Sequence, residues 1–230
     1  MISFRSGNPA LTSKIFKMGK EESGDVMTLQ GTINKTSISL LILFCTALYT
    51  YSSQNTNYIW IGFIGGFIVA LATIFKKEWS PYTVPLYAAL EGLALGGISA
   101  IYNHAYTGIV QQAVFLTLGI FIALLFAYKT RIINPTENFK LGIFAATAGI
   151  GVVYLINFIM HLFGSNGLSV MSIENASMMS IGFSVFVVII ASLNLVLDFD
   201  FIEQGSEAGV PKYMEWYGAF SLLVTLVWLY

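Results

Sequence analysis

From residue 33 onward the chain repeats one pattern: an apolar run of about bilayer length, then a short polar break. Seven runs can be traced, over residues 33–51, 58–75, 81–102, 109–128, 140–163, 176–201 and 213–230. Each approaches the roughly 20 residues that carry a helix across about 30 Å of hydrocarbon. Helix is the required form, because lipid offers no partner to open backbone groups. The runs are also about twice the length of a membrane-barrel strand. The pattern predicts an all-α polytopic membrane protein, a seven-transmembrane-helix bundle over residues 33–230. A polar arm over residues 1–32 precedes it, with a short surface helix around residues 11–18.

The positive charges give the bundle an orientation. All eleven Lys and Arg residues fall in the arm and first helix start (Arg5, Lys14, Lys17, Lys20, Lys35) or in the second, fourth and sixth connections (Lys76, Lys77; Lys129, Arg131, Lys140; Lys212). The first, third and fifth connections have none. Basic residues stay on the cytoplasmic side of a membrane. The N-terminus is therefore expected in the cytoplasm and the C-terminus on the far side.

Composition narrows the function. At 56% hydrophobic and 10% charged, the chain is far from the roughly 25% charged residues of a soluble domain. A net charge of −1 says nothing about nucleic acid, and with no basic patch to argue for it none is expected as a partner. The single Cys45 forms no intramolecular disulfide and reads as a small buried hydrophobe. There is no GxSxG, HExxH, GxGD, P-loop or dinucleotide fingerprint, so the protein is read as a non-enzyme with no cofactor. Small residues (Gly62 and Gly66, Gly92 and Gly96, and Gly142, Ala145, Ala146, Gly149 and Gly151) predict close helix seams in the second, third and fifth spans.

What remains is acid. Residues 192–216 hold Asp198, Asp200, Glu203, Glu207 and Glu215 in an otherwise nearly uncharged half of the chain, and intramembrane acids mark ion or proton paths. Asp198 lies about 33 Å along the sixth run, near its cytoplasmic end, in a small, polar stripe with Asn194 and Ala191. Asp200 points about 200° away around the helix and cannot share its site. Glu215 opens the seventh run at the same level, where it can approach Asp198. Glu91 lies about 15 Å into the third run, where an ionised acid costs about 2.5–3.5 kcal/mol unless it is paired, protonated or facing water. Packing glue and pore acid both fit it. Asn157 and His161 sit toward the outer end of the fifth run.

The segments GVPKYMEWY, LDFDFIEQG and PLYAALEGLALGGIS, with NPAL near the start, resemble the bacterial branch of the Bax inhibitor-1 family over nearly the whole chain. The resemblance implies a seven-helix bundle around a central, acid-bearing sixth helix, and a pH-sensitive calcium leak channel or a regulator of cell death or membrane proteolysis. Asp198 best matches the family's sixth-helix acid, with Asp200 the competing register. The family pairs that acid with an aspartate on the seventh helix. Here the matching position is Thr225, so a pair would need Glu215 or Glu91.

The expectation is a passive cation leak, with calcium as the permeant ion, in a bacterial inner membrane. Asp198, Glu91 and Asn194 would supply hard oxygen ligands. Protonation at Asp198, with Glu215 and Asp200 as further sensor candidates, would set the conducting state by releasing a cation or a closing basic partner such as Arg131. The alternative is a non-conducting regulator that binds a membrane protease or a cell-death or stress partner.

Overall fold

The computed structural model describes residues 26–53, 55, 57–164, 167–172 and 177–230. Most of the predicted arm, with its surface helix, lies outside them. Seven α-helices follow in order: α1 (Leu29–Ser53), α2 (Asn57–Phe75), α3 (Ser80–Ala105), α4 (Ile109–Lys129), α5 (Glu137–Leu162), α6 (Met178–Ala208) and α7 (Met214–Leu229). No strand occurs among the described residues, and six helices are long and apolar enough to cross a membrane.

Two helices centre the bundle, α6 longer than its expected span and α7 close to it. α6 runs to Ala208 rather than ending near residue 201. Nothing breaks it before Gly209, whose left-handed conformation (φ 66°) ends it in a Schellman motif: Gly209 N donates to Ser206 O and Val210 N to Gly205 O. Glu203 and Glu207 therefore project from a helix, as Asp200 does, and not from a connection. α7 has only 16 residues, about 24 Å of rise, and is the most completely buried helix. α1, α3 and α6 enclose it, α2 packs outside α3, and α4 and α5 pack outside α6. The second half of α6 shares the centre, while its first half presents Met178, Met179, Ile181 and Val185 outward.

α1 is amphipathic in the sense that suits lipid. Thr32, Thr36, Ser39 and Thr50 face inward with Leu43, while Leu41, Leu48 and Tyr49 face out. The inward threonines are partnered along the helix, as in Thr36 Oγ1 to Thr32 O at 2.9 Å, whereas Ser39 Oγ has no hydrogen bond among the described residues. The small size of these side chains permits close approach. Cys45 lies on the outward face with Leu41 and Leu48 and is exposed. This corrects the expectation of burial.

The glycine seams divide. A Cβ on Gly62 would come within 2.4 Å of Leu90 O, one on Gly92 within 2.4 Å of Leu43 O, and one on Gly96 within 2.2 Å of Ala47 O. α3 is thus pressed backbone to backbone between α1 and α2. The small stripe of α5 is not a seam: Gly142, Gly149 and Gly151 meet nothing within 4 Å. α5 reaches the bundle through Lys140, Ile143 and Ile150 instead.

Gly96→Ala should accordingly lower the unfolding midpoint of the protein in detergent, by the equivalent of about 1–3 kcal/mol for an overpacked contact. Gly149→Ala should leave it nearly unchanged. Equal effects at the two positions would contradict the α1–α3 crossing.

Candidate functional site

The acids of α6 and α7 are distributed one per neighbour. Asp198 is 0% exposed and faces α7. Ser221 Oγ donates to its Oδ1 at 2.7 Å and Thr225 Oγ1 to its Oδ2 at 2.6 Å. Ser221 and Thr225 are four apart, one turn on the same face, so one carboxylate spans both. Asp200 faces α5, where Lys140 Nζ lies 2.7 Å from Oδ2, and Gln204 Nε2 donates to the same oxygen at 2.5 Å. Glu203 faces α4 and the turn after it: Arg131 Nη2 pairs with Oε1 at 2.6 Å, and Tyr128 OH donates to Oε2. Arg131 reaches it from a left-handed backbone (φ 59°).

Glu215 holds α1 in place. Thr28 caps that helix, its Oγ1 accepting from Gly31 N at 2.9 Å. In an ordinary capping box the third helical residue supplies a carboxylate that reaches back to the cap's N–H. Here that residue is Gly31, and the carboxylate comes from α7. Glu215 Oε1 accepts from Thr28 N at 3.1 Å and from Thr28 Oγ1 at 2.9 Å. A Cβ on Gly31 would stand 1.9 Å from that oxygen, so the space is kept for Glu215. Oε2 has no hydrogen bond but lies 3.7 Å from Lys35 Nζ. A carboxylate there also suits the positive ends of both helix dipoles. The contact is continued by Met27 N donating to Val210 O at 2.8 Å and by a bridge between Val26 and Pro211.

The described basic residues thus gather at one end of the bundle. Lys77 Nζ lies 5.8 Å from the Tyr217 ring centroid and Lys35 Nζ 5.6 Å from that of Trp216, within cation–π range.

The expected site residues are placed as follows. Asn194 is buried on the same stripe as Asp198, but its Nδ2 donates to Thr147 Oγ1 on α5 and to Ile190 O, each at 2.8 Å. Glu91 lies on the α2–α3 seam, its Oε2 2.9 Å from where a Cβ on Gly66 would be. Glu215 and Asp198 are bound to different helices, and Glu215 lies six residues before Ser221, about 9 Å along α7. Arg131 is held by Glu203, not Asp198. Among the described residues no three or more His, Cys, Asp or Glu side chains group to hold a metal ion. Asn157 Oδ1 accepts from Leu168 N at 2.8 Å and helps hold the connection before α6.

Ser221, Thr28 and Gly31 did not stand out in the sequence. The hydroxyl pair four apart on α7 was a readable signal. The split capping box was not, because its two halves are 187 residues apart.

Gly31→Ala and Glu215→Ala should each lower the unfolding midpoint, by about 1–3 kcal/mol for a buried donor left unpaired. The double variant should be little worse than the worse single, because both remove one contact. Additive losses would contradict the shared cap.

The comparisons agree with this architecture. A family model described as Bax inhibitor 1 like matches residues 8–230. No curated protein and no solved structure gives a significant match. With seven helices and nearly the whole length matched, the chain belongs to the Bax inhibitor 1 like family of multi-pass membrane proteins.

Proposed function

We propose that this protein is a passive cation leak channel, with calcium as its permeant ion, whose conducting state is set by protonation of Asp198. The observation that carries the reading is the α6–α7 contact: a fully buried carboxylate whose two oxygens take hydroxyl hydrogen bonds from Ser221 and Thr225. Both of these partners are neutral hydroxyls. A proton on Asp198 turns one oxygen into a donor, so one of these bonds must reverse or break. Hydroxyls accept as readily as they donate, and the contact can therefore rearrange without leaving a polar group unpaired. The movement would open a path along the central helices.

Calcium fits by chemistry, since it takes carboxylate, hydroxyl and carbonyl oxygens. A site of one acid and several neutral oxygens would bind it weakly enough to release it, as conduction requires. Asn194 and Glu91 would act as further oxygen donors elsewhere on the path rather than in one cage with Asp198. The reading is non-enzymatic. With Thr225 at the position of the family's second acid, the response should follow one proton rather than a coupled pair.

The second reading, a non-conducting regulator of a membrane protease or stress partner, is favoured by the complete burial of Asp198, which also suits a packing role. Flux separates the two. Purified protein in calcium-dye liposomes should pass calcium with a pH-dependent rate. Asp198→Asn should abolish the pH response, Asp200→Asn should leave it, and Thr225→Asp should broaden it into two steps. A liposome with no flux at any pH would favour the regulator, and a pH curve unchanged in Asp198→Asn would move the sensor elsewhere.

The bundle is further proposed to lie in a bacterial inner membrane with its basic end in the cytoplasm. In a Cys45→Ser background, cysteines at Asn55 and Asn103 should react with an impermeant maleimide added outside intact cells, and one at Lys77 should not. The opposite pattern would invert the orientation.

A further inference from the structure

α1 and α4 are not among the helix pairs that pack on one another, and a furrow runs between them. At the basic end it widens to a cavity of about 400 Å³, lined on α1 from Leu29 to Leu40, on α4 by Phe121 and Leu125, and floored by α6 and α7. At its mouth stand Lys129, Arg131 and Glu203. A second cavity of about 350 Å³ shares Leu40 and continues toward Tyr51 and Tyr230 at the other end.

We infer that the basic-end cavity binds one anionic phospholipid, an acyl chain lying along α1 and the phosphate at Lys129 and Arg131. Three observations carry this. The first is length. Leu29 and Leu40 are eleven residues apart, about 17 Å of helix, close to half the roughly 30 Å of hydrocarbon. The cavity is therefore one leaflet deep, with its basic mouth at headgroup level. The second is lining: between mouth and Leu40 the walls are mainly apolar, and the wall hydroxyls are already engaged. Thr32, Thr36 and Ser37 each donate to the backbone of their own helix.

The third is charge. Two basic side chains and one acid meet at the mouth, leaving one positive charge over. Glu203 takes Arg131 Nη1 and Nη2, which leaves further guanidinium donors for a phosphate. Lys129 is exposed and pairs with no carboxylate among the described residues. Basic pockets between transmembrane helices are suited to anionic headgroups. A zwitterionic lipid would gain the apolar walls but not the charge. The floor includes Phe199 and Leu222, next in sequence to Asp198 and Ser221, so the lipid would lie on the back of the contact that carries the acid.

The test is native mass spectrometry of the full chain released from nanodiscs holding equal phosphatidylglycerol and phosphatidylcholine. One phosphatidylglycerol per chain should be retained, in preference of roughly fivefold for one uncompensated basic residue. Lys129→Gln should erase the preference. Leu125→Trp, which fills the cavity, should abolish retention of both lipids, whereas Ile122→Trp on the outward face of the same helix should not. Equal retention of the two lipids by the parent protein would overturn the inference, as would unchanged retention in both Lys129→Gln and Leu125→Trp. Because Lys129 is exposed, its variant reports on binding even if Leu125→Trp fails to fold.

Discussion

An acid buried in a membrane bundle has no water to turn to, and four acids of α6 and α7 are each answered by a charged or hydroxyl group of a neighbouring helix. Asp198 is met by α7, Asp200 by α5, Glu203 by α4 and its following turn, and Glu215 by α1. Apolar packing alone is a weak guide in lipid, since a leucine gains nothing by leaving one hydrocarbon for another. Polar contacts of this kind fix which helix stands where. α5 makes the case plainly: its glycine stripe lies open, and Lys140 is its one charged hold on the centre.

The same distribution divides labour among the carboxylates. Asp200 and Glu203 face cations, so a proton taken up by either would leave a positive charge without its counterion. Asp198 faces neutral hydroxyls that can reverse their bonds. Its hydrogen bonds to Ser221 and Thr225 can reverse while both hydroxyls stay paired. That difference in partner chemistry, more than depth in the bundle, singles it out within the proposed mechanism. Thr225 then reads as a hydroxyl that maintains the α6–α7 contact where the family resemblance implies a second acid.

Much of this was legible in the chain. Apolar runs of bilayer length specify helices because lipid permits little else, and seven runs became seven helices. The inward stripe of Ala191, Asn194 and Asp198 follows from helical period, and all three are buried. Length was harder to read at α6, since Gln, Ser, Glu and Ala continue a helix as readily as they form a loop. Only the left-handed Gly209 stops it. Burial was misread at Cys45 and along α5, where apolar or small side chains face lipid as comfortably as protein. The partners of Glu215 could not be foreseen from spacing, because no local pattern links Gly31 to a residue six helices away.

That last contact bears on the order in which the molecule is made. α1 is synthesised early, yet the carboxylate that completes its cap arrives only with α7. Until then Thr28 lacks its acceptor and Gly31, with no side chain of its own, leaves the place empty. The first helix is thus left unfinished at its basic end through the insertion of the next five. Closure of the cap joins the earliest and latest spans in one step, and a chain halted before α7 would carry an open helix end that marks it as incomplete.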